Sequence, residues 1–251
     1  MITRKTVNRT PIPFPYTLPT IIFTFDDNQK TLITTSYPLL KKYNMPCTIF
    51  INSDWIGAMS TSVQISELTE LYEDGCCIAN HTRNHSNLSL LTTEDDLMDV
   101  ISPSIEWLLE NGFERTAYYI GYPYGQYNVL CDTLFPKLNL IAGRNSVGYV
   151  SFPIQDKYNI PYQVVNKKTS LESAKNYVDY VLEHNTTVFL VFHDIQEDPS
   201  SSGWYLEHFE EFIKYVYQSG VKVRTFDEFW NGLTQIRYRS QPVVRNFVVR
   251  N

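Results

Sequence analysis

Long apolar runs are missing from this chain. The longest, such as Thr187-Val188-Phe189-Leu190-Val191-Phe192, are far too short to cross a bilayer, so no membrane span is expected. An apolar leader is missing too. The first residues carry Arg4, Lys5 and Arg9 with no hydrophobic stretch behind them, and Pro11, Pro13, Pro15 and Pro19 follow, so no secretory signal peptide is expected. Positive charge is in deficit: the formal net charge of −6 argues against a general nucleic-acid partner. Cysteine is sparse. Cys47, Cys76, Cys77 and Cys131 form no C-x-x-C pair, and the adjacent Cys76 and Cys77 would face opposite sides of a strand. They read as buried thiols, with neither a disulfide framework nor a thiolate zinc site. There is no internal repeat and no low-complexity segment.

What is present is a sizeable core. At 251 residues and 43% hydrophobic, the chain fits one large α/β domain or two small ones. Aromatics, including 18 tyrosines, would suit a sugar-binding surface as well as a large core. Residues 1–19 read as an extended arm, because their prolines oppose helix and central strand alike. After them, Ile21-Ile22-Phe23-Thr24-Phe25 is a strand buried on both faces, and it runs straight into Asp26-Asp27.

Further buried strands are expected at 47–51, 76–80, 116–122, 138–142, 163–165, 187–192 and 221–225. Helices are expected over 31–43, 66–74 (capped by Ser66), 92–111 (kinked or broken at Pro103), 170–184 and 205–218, with a final short helix capped by Asp227. About eight short strands alternating with helices predict a parallel sheet closed as a (β/α) barrel over residues 20–232. The tail 233–251 has no helical period and carries Arg237, Arg239, Arg245 and Arg250.

The placement of the polar residues is the informative feature. Asp26-Asp27, His81, Tyr122-Pro123-Tyr124-Gly125 and His193-Asp194 each follow a predicted strand directly. In a barrel those strand ends form one rim, where active sites are built. Adjacent carboxylates call for a metal ion or a shared proton, although either acid could instead cap the next helix. His81-Thr82-Arg83-Asn84-His85 has the i,i+4 spacing that puts two imidazoles on one side of a turn, and with one carboxylate they make a facial site for a divalent metal. Zinc is favoured by nitrogen and oxygen ligands, and cobalt or nickel would also fit. His193 ends a buried strand, where it could serve as general acid or base or as a hydrogen-bonded core residue. His184 and His208 read as structural or surface residues.

Together these segments resemble the polysaccharide deacetylase family with the NodB-homology domain, carbohydrate esterase family 4, over roughly residues 20–232. Thr24-Phe25-Asp26-Asp27, His81-Thr82-x-x-His85, Tyr122-Pro123-Tyr124-Gly125 and Leu190-Val191-Phe192-His193-Asp194 match its motifs in order. The resemblance implies an irregular, NodB-like (β/α) barrel of seven to eight strands. It implies Asp26 as general base, Asp27, His81 and His85 as metal ligands, His193 as general acid and the Tyr124 backbone N–H as an oxyanion donor. Thr82 would brace the histidine loop through its hydroxyl.

The resemblance also implies a metal-dependent deacetylase acting on an acetylated polysaccharide or oligosaccharide. N-acetylhexosamine is favoured over O-acetyl groups of the xylan type. A non-catalytic glycan-binding barrel and a hydrolase of a non-sugar amide are the other readings. Two departures stand out. The arginine that many members carry before the aromatic-Pro-Tyr-Gly turn is Gly121 here, leaving Arg144 as a candidate substitute. The family's fourth motif has no clear match, and Asp156 is the one acid between residues 143 and 168. The oligomeric state stays open, as does the location: intracellular, virion-associated or part of a larger exported protein.

Overall fold

The computed structural model describes residues 19–59 and 62–239. The 1–18 part of the expected arm and residues 240–251 of the tail lie outside them. Seven parallel strands form the barrel: β1 (Thr20–Asp26), β2 (Thr48–Ile51), β3 (Cys77–Asn80), β4 (Tyr119–Gly121), β5 (Ala142–Val147), β6 (Ile160–Val164) and β7 (Thr187–Phe192). They pair in chain order, and β1 closes the ring against β7 from Thr20↔Thr187 to Phe25↔Phe192. The eighth expected strand shrinks to Lys222–Val223. It pairs with Thr20 and Ile21 beside the ring rather than within it.

The α-helices are α1 (Tyr37–Lys42), α2 (Ile65–Glu73), α3 (Glu94–Glu110), α4 (Val129–Lys137), α5 (Leu171–His184), α6 (Leu206–Ser219) and α7 (Phe226–Arg239). Among the described residues, no helix is long and apolar enough to cross a membrane.

Strand alternation divides the core in two. Ile21, Phe23 and Phe25 face outward into a layer shared with the helices, packing on Phe192, Phe209 and Phe212. Ile22, Phe50, Cys77, Ala79, Tyr119 and Phe189 fill the barrel interior. Phe226 and Phe229 of α7 join that inner cluster at the end where the strands begin. Each buried ring stabilises the fold by about 1.5–3 kcal/mol.

Several local expectations change. Pro103 neither breaks α3 nor ends it: the helix runs on to Glu110. Proline offers no N–H to the carbonyl four residues back, and the next two carbonyls have partners outside the helix. Val100 O accepts from Arg83 N at 2.8 Å, and Ile101 O accepts from Asn80 Nδ2 at 3.1 Å. Gln64, not Ser66, caps α2 through a capping box with Glu67. Strand β5 begins at Ala142, where the expected strand ended. α4 was not foreseen, and α7 runs through Gly232 to Arg239, so the described part of the tail is helical.

Candidate active site and metal centre

The strands end together, and each end delivers part of one cluster. β1 stops at Asp26, and Asp27 and Asn28 then take positive φ (69° and 53°), which turns the chain sharply at the rim. The Asp27 carboxylate lies between three imidazoles. Its Oδ1 is 3.4 Å from His81 Nε2 and 3.1 Å from His85 Nε2, and its Oδ2 is 3.7 Å from His193 Nε2. Burial pushes the Asp27 carboxyl up, but the contacts from His81 and His85 and the charges of His81 and His193 outweigh it. The group is held well below the ordinary carboxylate range.

Asp27, His81 and His85 form a possible metal-binding triad, with ligand atoms all within 4.8 Å of one another. Two further observations fit a cation there. Asp27 Oδ1 is buried and makes no hydrogen bond. His81 is 2% exposed and its Nδ1 lies 2.7 Å from the Gly121 carbonyl. A carbonyl only accepts, so Nδ1 carries a proton there, which leaves Nε2, on the Asp27 side, as the ring nitrogen that could take a cation.

The histidine turn is held from beneath by amides that sequence reasoning missed. Asn52, at the end of β2, donates to the carbonyls of His81 (2.7 Å) and Thr82 (3.3 Å). Asn28 clamps Asn52 in turn, accepting from its backbone N–H and donating to its carbonyl. Asn80 Oδ1 accepts from Thr82 N at 2.6 Å. The Thr82 hydroxyl is buried with no hydrogen-bond partner, so the expected hydroxyl brace is replaced by this backbone contact. The available signal was a polar residue closing an otherwise apolar strand, as at Asn52 and Asn80.

Asp26 is 6% exposed and is met by Arg144, whose Nη2 donates to Asp26 Oδ2 at 2.6 Å. The guanidinium is sandwiched between the rings of Phe50 and Tyr162, with centroid distances of 4.9 and 4.7 Å. It also explains Gly121. A Cβ there would stand 2.9 Å from both Arg144 Nη2 and the Phe50 ring. The missing arginine at 121 and the buried one at 144 are two sides of one arrangement.

Tyr124 takes φ 60° in the turn after β4 and lays its ring edge-on to His85 at 4.6 Å, while Trp55 stacks on His85 from another side at 5.8 Å. Asp26, Asp27, His81, His85, Tyr124 and His193 are therefore brought together. Asp194 turns away: its carboxylate accepts from Gln196 Nε2, Ser200 N and Ser200 Oγ. Asp156 accepts from Tyr158 N in the connection entering β6, at the far end of that strand from the rim. His184 stacks on Tyr180 at the end of α5, and His208 packs against Trp204 and Tyr205, both outside the cluster.

Comparison with known proteins agrees with this architecture. The polysaccharide deacetylase family matches residues 16–140. A poly-β-1,6-N-acetyl-D-glucosamine N-deacetylase of Staphylococcus aureus is 30% identical over 149 residues. The match covers 55% of this chain and 51% of that protein, so the chain spans about half the length of this curated relative. Among solved structures, a family 4 acetyl xylan esterase from Clostridium thermocellum, in complex with a cobalt ion, superposes with a TM-score of 0.58 at 15% identity, covering 84% of this chain and 90% of that one. A family 4 pseudoenzyme from Bacillus anthracis gives 0.56 at 13% identity, covering 85% and 66%. At such identities these two share the fold.

Proposed function

The chain belongs to the polysaccharide deacetylase family through residues 16–140, and from that premise we propose that it is a metal-dependent hydrolase removing N-acetyl groups from an N-acetylhexosamine polymer or oligomer. One observation carries the reading: a carboxylate paired with a buried arginine and a separate imidazole both stand beside the Asp27–His81–His85 triad, 3.9 Å from His81 and 3.7 Å from Asp27. A glycan-binding barrel needs no such opposed acid and base. The Staphylococcus relative, named for its action on poly-N-acetylglucosamine, supports the N-acetyl substrate.

Asp27, His81 and His85 would hold the cation, with zinc the proposed metal. When bound, it would supply Lewis acidity, polarising the acetyl carbonyl and lowering the pKa of a water towards ~7. Asp26 is the proposed base, taking a proton from the attacking water through its unpartnered Oδ1 while Arg144 holds Oδ2. Arg144 is the positioning residue, in the role left open by Gly121. The Tyr124 backbone N–H would donate to the oxyanion, and such a donor is typically worth ~3 kcal/mol. His193 would protonate the departing nitrogen.

The test is acetate release from N-acetylglucosamine oligomers and from acetylated xylan. EDTA-treated protein is assayed with and without Zn²⁺ or Co²⁺, beside Asp26→Asn. Metal-dependent release from the amide substrate that the variant abolishes is expected. Release from xylan alone would reassign the enzyme to ester hydrolysis. Stoichiometric metal binding without release from either substrate would favour a binding barrel.

A further inference from the structure

The barrel end opposite the candidate site holds a second reactive cluster. Cys47 and Cys76 immediately precede β2 and β3, one residue before the pair Thr48↔Cys77. Their sulfurs lie 3.7 Å apart, with the Cys47 thiol donating to Cys76 Sγ. Both belong to the outer core layer, whereas Cys77 points into the barrel interior. Neighbouring strands run ~4.8 Å apart, inside the ~4.4–6.8 Å Cα separation that a disulfide spans. All four thiols are free and buried in this structure.

We propose that Cys47 and Cys76 are a redox modification site, a thiol pair that closes to a disulfide when the folded protein meets an oxidant such as hydrogen peroxide. Cys76 is the attacking sulfur. Hydrogen bonding from Cys47 holds its thiol below the ordinary value against burial and the charge of Asp74, and Arg115, whose guanidinium donates to the Cys76 carbonyl, adds a smaller lowering. The Cys76 thiolate attacks one peroxide oxygen and becomes a sulfenic acid as hydroxide leaves. Cys47, losing its proton, then attacks the Cys76 sulfur and expels the second oxygen as hydroxide. The two released protons convert the hydroxides to water. Two thiols and one peroxide thus give one disulfide and two waters, with two electrons passing from sulfur to oxygen.

The bridge would pin β2 to β3 at the start of the strands whose far ends lead into Asn52 and His81. It is a device for the barrel wall, and it does not depend on the acetyl-hydrolysis reading.

The reduced, folded protein is treated with a small excess of hydrogen peroxide, quenched, and analysed by thiol titration after unfolding, intact mass and peptide mapping. The expected result is loss of two of the four thiols, a peptide linking Cys47 to Cys76, and a Tm raised by about 5 °C that dithiothreitol reverses. In Cys47→Ser the linked peptide should vanish and no substitute disulfide should form. Retention of all four thiols, oxidation to sulfinic acids without a link, or a bridge through Cys77 or Cys131 would each overturn the proposal. The decisive measurements are on the unmutated protein, so a folding defect in the variant would not mask the outcome.

Discussion

The two ends of the barrel solve opposite problems with the same strands. Where the strands begin, charges are matched. Asp74 takes a hydrogen bond from Tyr37 and an ion pair from Lys41, each at 2.5 Å, and buried Asp227 is met by Arg115 and by the Thr225 hydroxyl. Where the strands finish, groups are left unmatched. Asp26 Oδ1, Asp27 Oδ1, Thr82 Oγ1, Arg144 Nε and His193 Nδ1 are buried without a hydrogen bond, and Asp27, Thr82, His85 and Tyr124 all hold positive φ. Buried polar atoms without partners and left-handed non-glycine residues each cost free energy. Their concentration at one rim marks the place where something outside the chain completes the structure. The lower rim is built to be stable and the upper one to be finished by a ligand.

The sharpest way to break this contrast is Asp26→Asn. At the upper rim it should lower kcat for acetate release by about 10²–10⁴-fold while leaving metal stoichiometry intact. Normal turnover would remove Asp26 from the chemistry. Next comes the Gly121–Arg144 couple. Gly121→Ala and Arg144→Met should each destabilise the protein, the first by about 1–3 kcal/mol through overpacking and the second by about 3–5 kcal/mol through an unpaired buried charge. The double variant should cost less than the sum, because the alanine methyl would occupy space vacated by the guanidinium. Full additivity in denaturant titrations would show that the two positions are independent.

At the lower rim, Asp227→Asn should cost about 1–3 kcal/mol of stability and leave kcat unchanged. A fall in kcat would mean that the two ends are coupled. The smallest effect concerns Asp194. Burial raises its carboxyl, but the hydrogen bonds from Ser200 and Gln196 hold it lower overall. A depressed folded value contributes stability that is fully present above the unfolded value of ~4 and disappears as pH falls through the folded one. Asp194→Asn should therefore be less stable than wild type at pH 7, with the gap closing below about pH 4. A pH-independent gap would trace the loss to packing against Gly203 instead.

Much of this site was legible because strand ends are legible. An apolar run that stops at a polar residue locates a rim position whatever the tertiary detail, and that rule brought out Asp26, His81 and His193. Arg144 was harder, since it sits inside β5, 118 positions from its carboxylate partner. Its own strand, Ala142-Gly143-Arg144-Asn145-Ser146-Val147, lacks the apolar pattern that would have located it. Glycine is needed at 143 because Tyr122 Oη would lie 2.1 Å from a Cβ there. Pro103 misled for a related reason. Proline signals a broken helix in isolation, but here the end of β3 and the loop after it supply donors to the adjacent carbonyls. Local propensity could not report a partner twenty residues away.

The closure of β1 on β7 has a consequence for how the molecule comes into being. Ile21 pairs with Val188, so the first strand to leave the ribosome waits for nearly the last to complete its ladder. During synthesis the carboxylates and the two turn histidines emerge early, whereas Arg144 and His193 arrive late. A nascent chain halted before residue 187 carries the candidate metal-binding residues without His193 beside them, and it has two open sheet edges, at β1 and β6, the kind of edge that recruits other strands. The candidate site is assembled only when the last wall of the barrel shuts.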